Sequence, residues 1–276
     1  MKSIRLLALL NCFVASQSFF IPNSFPVCQT QWQSCSKNEK PSTLNMFWGK
    51  TKQARSPSKE FELLEVLEST TVQGRGKVVD EETLTQIKEI VDQLEVQGGI
   101  VDPVDTEIIN GRWRLLFTTT PGTASPIQRS FVGVDSFSVY QDIDLRSDVP
   151  TVANVVDFGD KIGVLTVVAL ASTFSQPLEG FQPRKGDGRI LGLNIFGVSS
   201  TDPPQNPKQR IDFKFDEASF DFAFLPFKIP YPVPFRYLGD EVTGWIDITY
   251  ISSTLRIARG NKGTVFILKK LENPPR

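Results

Sequence analysis

The sequence predicts a mainly β chain, an antiparallel β-barrel preceded by two α-helices. Three observations predict it. Apolar residues recur with helical spacing between Ser58 and Gly98, and after Pro103 the spacing shortens to two. No strand–helix–strand rhythm follows Pro103, which excludes a parallel α/β sheet. Eight to ten short β runs remain, and an antiparallel set of that size most simply closes into a barrel, which leaves no exposed edge.

The first helix is predicted at Glu60–Leu67, with Phe61, Leu64 and Leu67 on its apolar stripe and Ser58 as N-cap. The second runs from Asp80 to Gln97, with Leu84, Ile87, Ile90, Val91 and Leu94 on one stripe, and Gly98-Gly99 stops it. Gly74-Arg75-Gly76 marks a turn between them. In the first strand Trp113, Leu115 and Phe117 alternate with Arg112, Arg114 and Leu116. Phe137, Val139 and Gln141 line one face of the next, with Ile143 and Leu145 following after a shift. Further strands are predicted at Thr151–Phe158, Gly163–Ser172, Arg210–Asp216, Ser219–Leu225, Trp245–Ile251 and Thr264–Lys269. Gln176–Pro207 reads as a long Gly- and Pro-rich loop with one strand at Arg189–Val198. Pro226–Pro234 carries four prolines, so it cannot be an interior strand and reads as an aromatic-bearing loop over one barrel end.

Composition removes several chemistries. The chain has no His, which excludes a His-dependent triad, a His metal ligand and an imidazole switch. Its three cysteines, Cys12, Cys28 and Cys35, all precede Ser36, so the body has no thiol for a disulfide, a zinc site or a nucleophile. No catalytic residue, metal ligand or cofactor is assigned. Gly260-Asn-Lys-Gly263 lacks P-loop spacing and reads as a hairpin turn, Gly186-Asp-Gly188 is a single acidic turn, and Asp142 and Asp144 share a strand face without marking a glycosidase site.

Charge divides the chain. Residues up to Arg55 carry seven basic side chains against Glu39 alone, and the remainder is acidic with a net charge of −7. An acidic body argues against nucleic acid as a partner. The basic front reads as a leader. Lys2 and Arg5 precede the apolar run Leu6–Leu10 and Cys12–Ala15, which is too short to span a bilayer. Ala15-Ser-Gln-Ser18 offers small residues for cleavage, and Phe19-Phe20 follows. The expected organisation is a signal peptide over 1–18, a transit-like segment over 19–57 and a folded domain over 58–272, with helices in 58–98 and the barrel in 110–271. A signal peptide followed by Phe and a transit-like stretch resembles the bipartite plastid leader of algae with complex plastids. The plainer alternative is a secretory signal, against which stands a body without disulfides.

Gly111-Arg-Trp113 at the first strand resembles the lipocalin opening motif, and alone it is a weak signal. It belongs to an ordered set. Asn110-Gly-Arg-Trp-Arg-Leu-Leu-Phe-Thr-Thr119 is followed by Ser125-Pro-Ile-Gln128, Val139-Tyr-Gln-Asp-Ile143 and Asn154-Val-Val-Asp-Phe158. Near the end stand Gly244-Trp-Ile-Asp-Ile-Thr-Tyr250 and Leu255-Arg-Ile-Ala-Arg-Gly-Asn-Lys-Gly-Thr264. This set resembles the plastid lipid-associated protein/fibrillin family from about Glu60 to Leu271. The resemblance implies a lipocalin-like barrel on plastoglobules or thylakoids, associated with carotenoids, quinones or other prenyl lipids. The long Gln176–Pro207 stretch and Ile251-Ser-Ser-Thr254 depart from the simpler family pattern, and these departures bear on the ligand rather than the fold.

The candidate ligand-binding residues, at the barrel interior or mouth, are Phe117, Phe131, Tyr140, Phe213, Phe215, Phe222, Phe224, Trp245, Asp247 and Tyr250. An interior lined by Phe favours flat or long apolar ligands, at about 25 cal/mol per Å² buried, and equally could fill a solid core. Asp247 is expected either to bond a ligand head group or to pair with Arg256 or Arg259, the pair being favoured because a lone buried carboxylate is costly. Arg256 and Arg259 are also expected to stack on Trp113 and close the barrel bottom, a structural role. Three functions stay open: a lipid carrier or coat, a module presenting an isoprenoid substrate to a plastid biosynthetic enzyme, and a barrel enzyme acting on a lipid. The partners implied are hydrophobic small molecules or a membrane lipid surface, and the sequence leaves the oligomeric state unassigned.

Overall fold

The computed structural model describes residues 58–69, 72–119, 137–184, 189–190, 193–194, 203–261 and 263–272. All lie in one of the chain's two compact units, Ala54–Arg276. The leader, Phe131, the Ser125–Gln128 motif and Gly186-Asp-Gly188 lie outside the described residues.

Helix α1 spans Lys59–Leu67 and α2 spans Glu81–Gln97. Each starts on a side-chain cap: Ser58 accepts from the Phe61 amide, and Asp80 accepts from the Thr83 amide. Gly98, at φ 74°, ends α2 in a conformation that a Cβ would disfavour. The α2 stripe is as read, with Ile87, Ile90, Val91 and Leu94 buried. The α1 stripe is not. Leu63 and Leu67 are buried, whereas Phe61 is exposed, because the short helix lies on α2 and on the sheet along its other face.

The strands are β1 (Gly111–Thr118), β2 (Ser138–Asp144), β3 (Thr151–Asp157), β4 (Gly163–Thr173), β5 (Arg189–Ile190), β6 (Leu193–Asn194), β7 (Arg210–Phe222), β8 (Ile229–Pro230), β9 (Thr243–Ile251), β10 (Leu255–Gly260) and β11 (Val265–Lys270). Within the main sheet they pair in the order β4-β3-β2-β1-β11-β10-β9-β7-β8, every pairing antiparallel. A further pairing of β4 with β7 joins the two flanks, so eight of the nine strands form a closed ring, each beside its successor. β8 hangs on β7 as a two-residue edge piece in the proline-rich segment, where a missing N–H is tolerated. β5 and β6 form a separate small hairpin in the expected long loop.

Four strand readings change, and one is that the described part of the strand expected at Arg189–Val198 is two short strands, β5 and β6. Arg210–Asp216 and Ser219–Leu225 are one strand, β7, which ends at Phe222, with a register shift opposite Val168/Ala169 where Asp216 is the extra residue. β2 runs without a shift, pairing continuously with β3 from Ser138↔Asp157 to Asp144↔Thr151. β10 is a strand that alternation did not announce, because Leu255 to Ala258 are buried on both faces, Arg256 included.

The core is divided in three. Inside one half of the ring lie Trp113, Leu115, Ile143, Val152, Ile211, Ile246, Ile248 and Leu268, closed off by Val104 and Ile109 from the single-turn helices that precede β1. Inside the other half, Val156, Leu165 and Ala218 meet Tyr231, Phe235 and Val242 from the β8–β9 connection, which folds over that end. Outside the ring, Leu63, Leu67, Ile87, Ile90, Val91 and Leu94 of the helices pack on Phe117, Tyr250, Leu255, Ile257, Val265 and Ile267.

Candidate functional site

The ring interior is apolar except at one corner. Cross-strand pairing places Trp113, Gln141 and Asn154 side by side on β1, β2 and β3, all on the inner face. Arg256 of β10 reaches the same place and is fully buried. Its Nη2 donates to Gln141 Oε1 at 2.7 Å, and Gln141 Nε2 donates to Asn154 Oδ1 at 3.0 Å. The guanidinium carbon sits 4.9 Å from the centroid of the Trp113 ring, and Lys270 Nζ sits 5.2 Å from the same ring. Trp113 Nε1 donates to Ile109 O at 2.8 Å, which fixes the indole against the turn closing this end. Burial alone lowers the Arg256 guanidinium to about 9. Lys270 is lowered by burial and then by Arg256, and its amine donates to Ile108 O.

Of the sequence-predicted residues, Phe213 and Phe215 are on the inner face, 5.3 Å apart edge to face, and Phe215 also lies 5.6 Å from Phe235. Phe222 stacks between Phe220 and Phe224 at the end of β7, and Phe224 is exposed. Five others lie off the inner face, Asp247 among them. Phe117 is buried under the helices, because the register between β1 and β11 shifts between Leu115 and Phe117 and turns the latter outward. Tyr250 turns outward at a second shift in β9, opposite Ile257/Ala258, and its hydroxyl donates to Glu60 of α1 at 2.5 Å. Burial, then that bond, raises the Tyr250 hydroxyl. Tyr140 shares the outer face with Arg112, whose guanidinium lies 5.3 Å from its ring centroid. Trp245 lies on the outer face beneath Arg210, 3.8 Å from guanidinium carbon to centroid.

Asp247 pairs with neither expected arginine. Arg210, its cross-strand neighbour, holds it through Nε–Oδ1 at 2.7 Å and Nη2–Oδ2 at 2.8 Å. Arg259 does not stack on Trp113; it points outward and clasps Glu95 of α2 with Nε–Oε1 at 2.9 Å and Nη2–Oε2 at 2.6 Å. Arg256 alone meets the tryptophan. Gln141 and Asn154 were not read as site residues, although an Asn in the middle of an apolar strand was the visible signal for the inner polar corner.

The opposite end of the ring carries exposed apolar side chains. Ile162 in the β3–β4 turn, Phe224 and Phe227 after β7, and Ile229 in β8 are 46%, 60%, 60% and 37% exposed. The Ala223 amide donates to Ile162 O at 3.1 Å, which ties the two turns together. Among the described residues there is no cluster of His, Cys, Asp and Glu able to hold a metal, and no helix long and apolar enough to cross a membrane.

A closed antiparallel ring with a largely apolar lining and two helices clasped to one flank defines the structural class. The PAP_fibrillin family model matches residues 59–182 and 194–269. The chain therefore belongs to the plastid lipid-associated protein/fibrillin family. It is 44% identical over 252 residues to "Probable plastid-lipid-associated protein 12, chloroplastic" of Arabidopsis thaliana, covering 90% of this chain and 52% of that protein. It is 26% identical over 235 residues to a chromoplast-specific carotenoid-associated protein of Cucumis sativus, covering 78% and 69%. It is 28% identical over 239 residues to a chloroplastic light-induced protein of Solanum tuberosum, covering 80% and 70%. The chain thus spans about half the length of the Arabidopsis relative. No solved structure matches it.

Proposed function

We propose that this is a plastid lipid-associated protein whose ring is a lipocalin-like barrel, binding prenyl lipids, quinones or carotenoids and docking on the lipid surface of plastoglobules or thylakoids. Residues 1–57 act as the bipartite leader that takes it there. The observation that carries the reading is the exposed end formed by Ile162, Phe224, Phe227 and Ile229. Exposed apolar side chains also stand elsewhere, at Phe61, Val96, Val101 and Phe174, but Ile162, Phe224, Phe227 and Ile229 sit on adjoining turns and strand ends of one end of the ring, as a surface-docking protein presents them. The family gives the plastid setting, since the relatives are named chloroplastic or chromoplastic and one is named carotenoid-associated. The protein works as a binding protein rather than an enzyme: without His, the nucleophile–base arrangements that rely on imidazole are closed to it.

The test is to incubate the purified protein with a thylakoid lipid extract, float it on a density gradient and identify retained lipids by mass spectrometry. Flotation with a stoichiometric prenyl lipid is expected. Flotation of an empty protein would leave a coat and remove the carrier role, and a protein that neither floats nor retains lipid would end the reading. Replacing Phe224 and Phe227 together by Ser should weaken partitioning onto lipid about a thousandfold, the effect of losing burial of roughly 200 Å² from two rings each 60% exposed at about 25 cal/mol per Å².

A further inference from the structure

The inner polar corner carries a charge with no counter-charge. Arg256 is 0% exposed, yet only its Nη2 has a partner; Nε and Nη1 have none. Those two atoms hold three N–H donors. No carboxylate among the described residues bonds to Arg256, and Lys270, also positive, lies against the same tryptophan. Three other arginines each hold a carboxylate with two bonds: Arg112 holds Asp142, Arg210 holds Asp247 and Arg259 holds Glu95. Burying a guanidinium without an anion costs several kcal/mol, and burying its donors without acceptors adds to that. A hydrophobic side chain would serve the packing here at lower cost.

The surrounding lining is not packed shut. Val139, Gln141, Asn154, Val167, Phe213 and Phe220 face inward by strand alternation, yet each keeps accessible surface, so each borders on open space. Gln141 and Asn154 carry that surface on the Arg256 side and Phe213 and Phe220 carry it on β7, while Arg256 itself is closed off at 0% exposure.

We infer that Arg256 is the head-group site for an amphiphile, an apolar chain ending in a single carboxylate, bound inside the ring with its tail along Phe213 and Phe220. A planar carboxylate matches the fork of a guanidinium with two parallel bonds, and one negative charge neutralises one buried positive charge. Gln141, itself held by Asn154, keeps the guanidinium in place, and both amides offer further polar atoms. The inference rests on the proposed binding of apolar cargo and adds its chemical class: acids, rather than only neutral prenyl lipids.

The test uses the whole chain with fluorescent cis-parinaric acid and its methyl ester, which share a tail and differ in charge. The acid should bind about tenfold more tightly than the ester, and Arg256→Met should abolish that preference. Without ligand the variant should be no less stable than the wild type, because it removes an unpaired buried charge. Equal binding of acid and ester by the wild type would overturn the head-group site while sparing the apolar-cargo reading. Failure to bind either would sink both. Retention of the preference by the variant would also overturn the site. Displacement of the acid by a long-chain alkyl phosphate at lower concentration than by a fatty acid would overturn the carboxylate assignment in favour of a phosphate. If Arg256→Met does not fold, the acid–ester comparison on the wild type still decides.

Discussion

Asp212 lies on the outer face of β7 beside Arg210, with Trp245 of β9 and Ser172 of β4 as its cross-strand neighbours and Asp247 close by. Burial raises its carboxyl to about 6, Arg210 opposes the rise and Asp247 adds to it. Arg210 already gives both of its forks' donors to Asp247, so Asp212 meets only a shared charge. Because the folded value lies above the ordinary 3.8, the native state holds a proton that the unfolded chain has released. Stability therefore falls as pH rises from about 4 to about 6, and the whole penalty is present above that range. Asp212→Asn should leave stability near pH 4 unchanged and raise it at pH 7.5. The gain should be on the order of 1 kcal/mol, after solvent screening of a partly exposed group. Urea unfolding at both pH values checks this, and an equal gain at both would disprove the titration argument. None of this was legible beforehand. The sequence shows that Asp247 needs a cation, by the cost of a bare carboxylate, but its partner lies 37 residues away and is chosen by the β7–β9 register.

At the scale of elements, the helix caps and the α2 stripe were readable because their signals are local. Ser58 and Asp80 cap helices within three residues of themselves, and the 3.6-residue period of α2 needs no knowledge of its partner. The bulges were not readable. A strand that inserts one residue reverses the facing of everything after it, and nothing in Leu115-Leu116-Phe117 announces the insertion. That is why Phe117 and Tyr250, expected in the ring interior, lie beneath the helices instead, while Phe213, in a regular part of β7, faces inward. The two positions should separate under mutation. Phe117→Ala should cost about 3–5 kcal/mol in denaturant unfolding, since it empties a fully buried site between sheet and helices. Once folded, it should bind parinaric acid as the wild type does. Phe213→Ala should instead weaken binding, and a loss of affinity in Phe117→Ala at full occupancy of the folded state would contradict the assignment of faces.

At the scale of the molecule, ring closure followed from counting strands, because eight antiparallel neighbours leave two edges that only each other can cover. Charge is the other property that belongs to the whole. The body beyond Arg55 has a net charge of −7, and the docking end proposed for it is apolar rather than basic. A body of that sign is repelled by an anionic bilayer over about a Debye length, about 10 Å at 0.1 M salt and about 3 Å at 1 M. Residues 1–55 carry the opposite charge, +6, and basic residues near an anionic surface contribute about 1 kcal/mol each. The full chain should therefore bind anionic vesicles at low salt more tightly than residues 56–276 alone. Raising the salt should weaken the full chain and strengthen the shorter one on anionic vesicles, the shorter one approaching the affinity set by Phe224 and Phe227. Vesicle co-sedimentation across a salt series measures this. If salt weakens the shorter chain on anionic vesicles, its docking is electrostatic, and the apolar end is not what holds it to the surface.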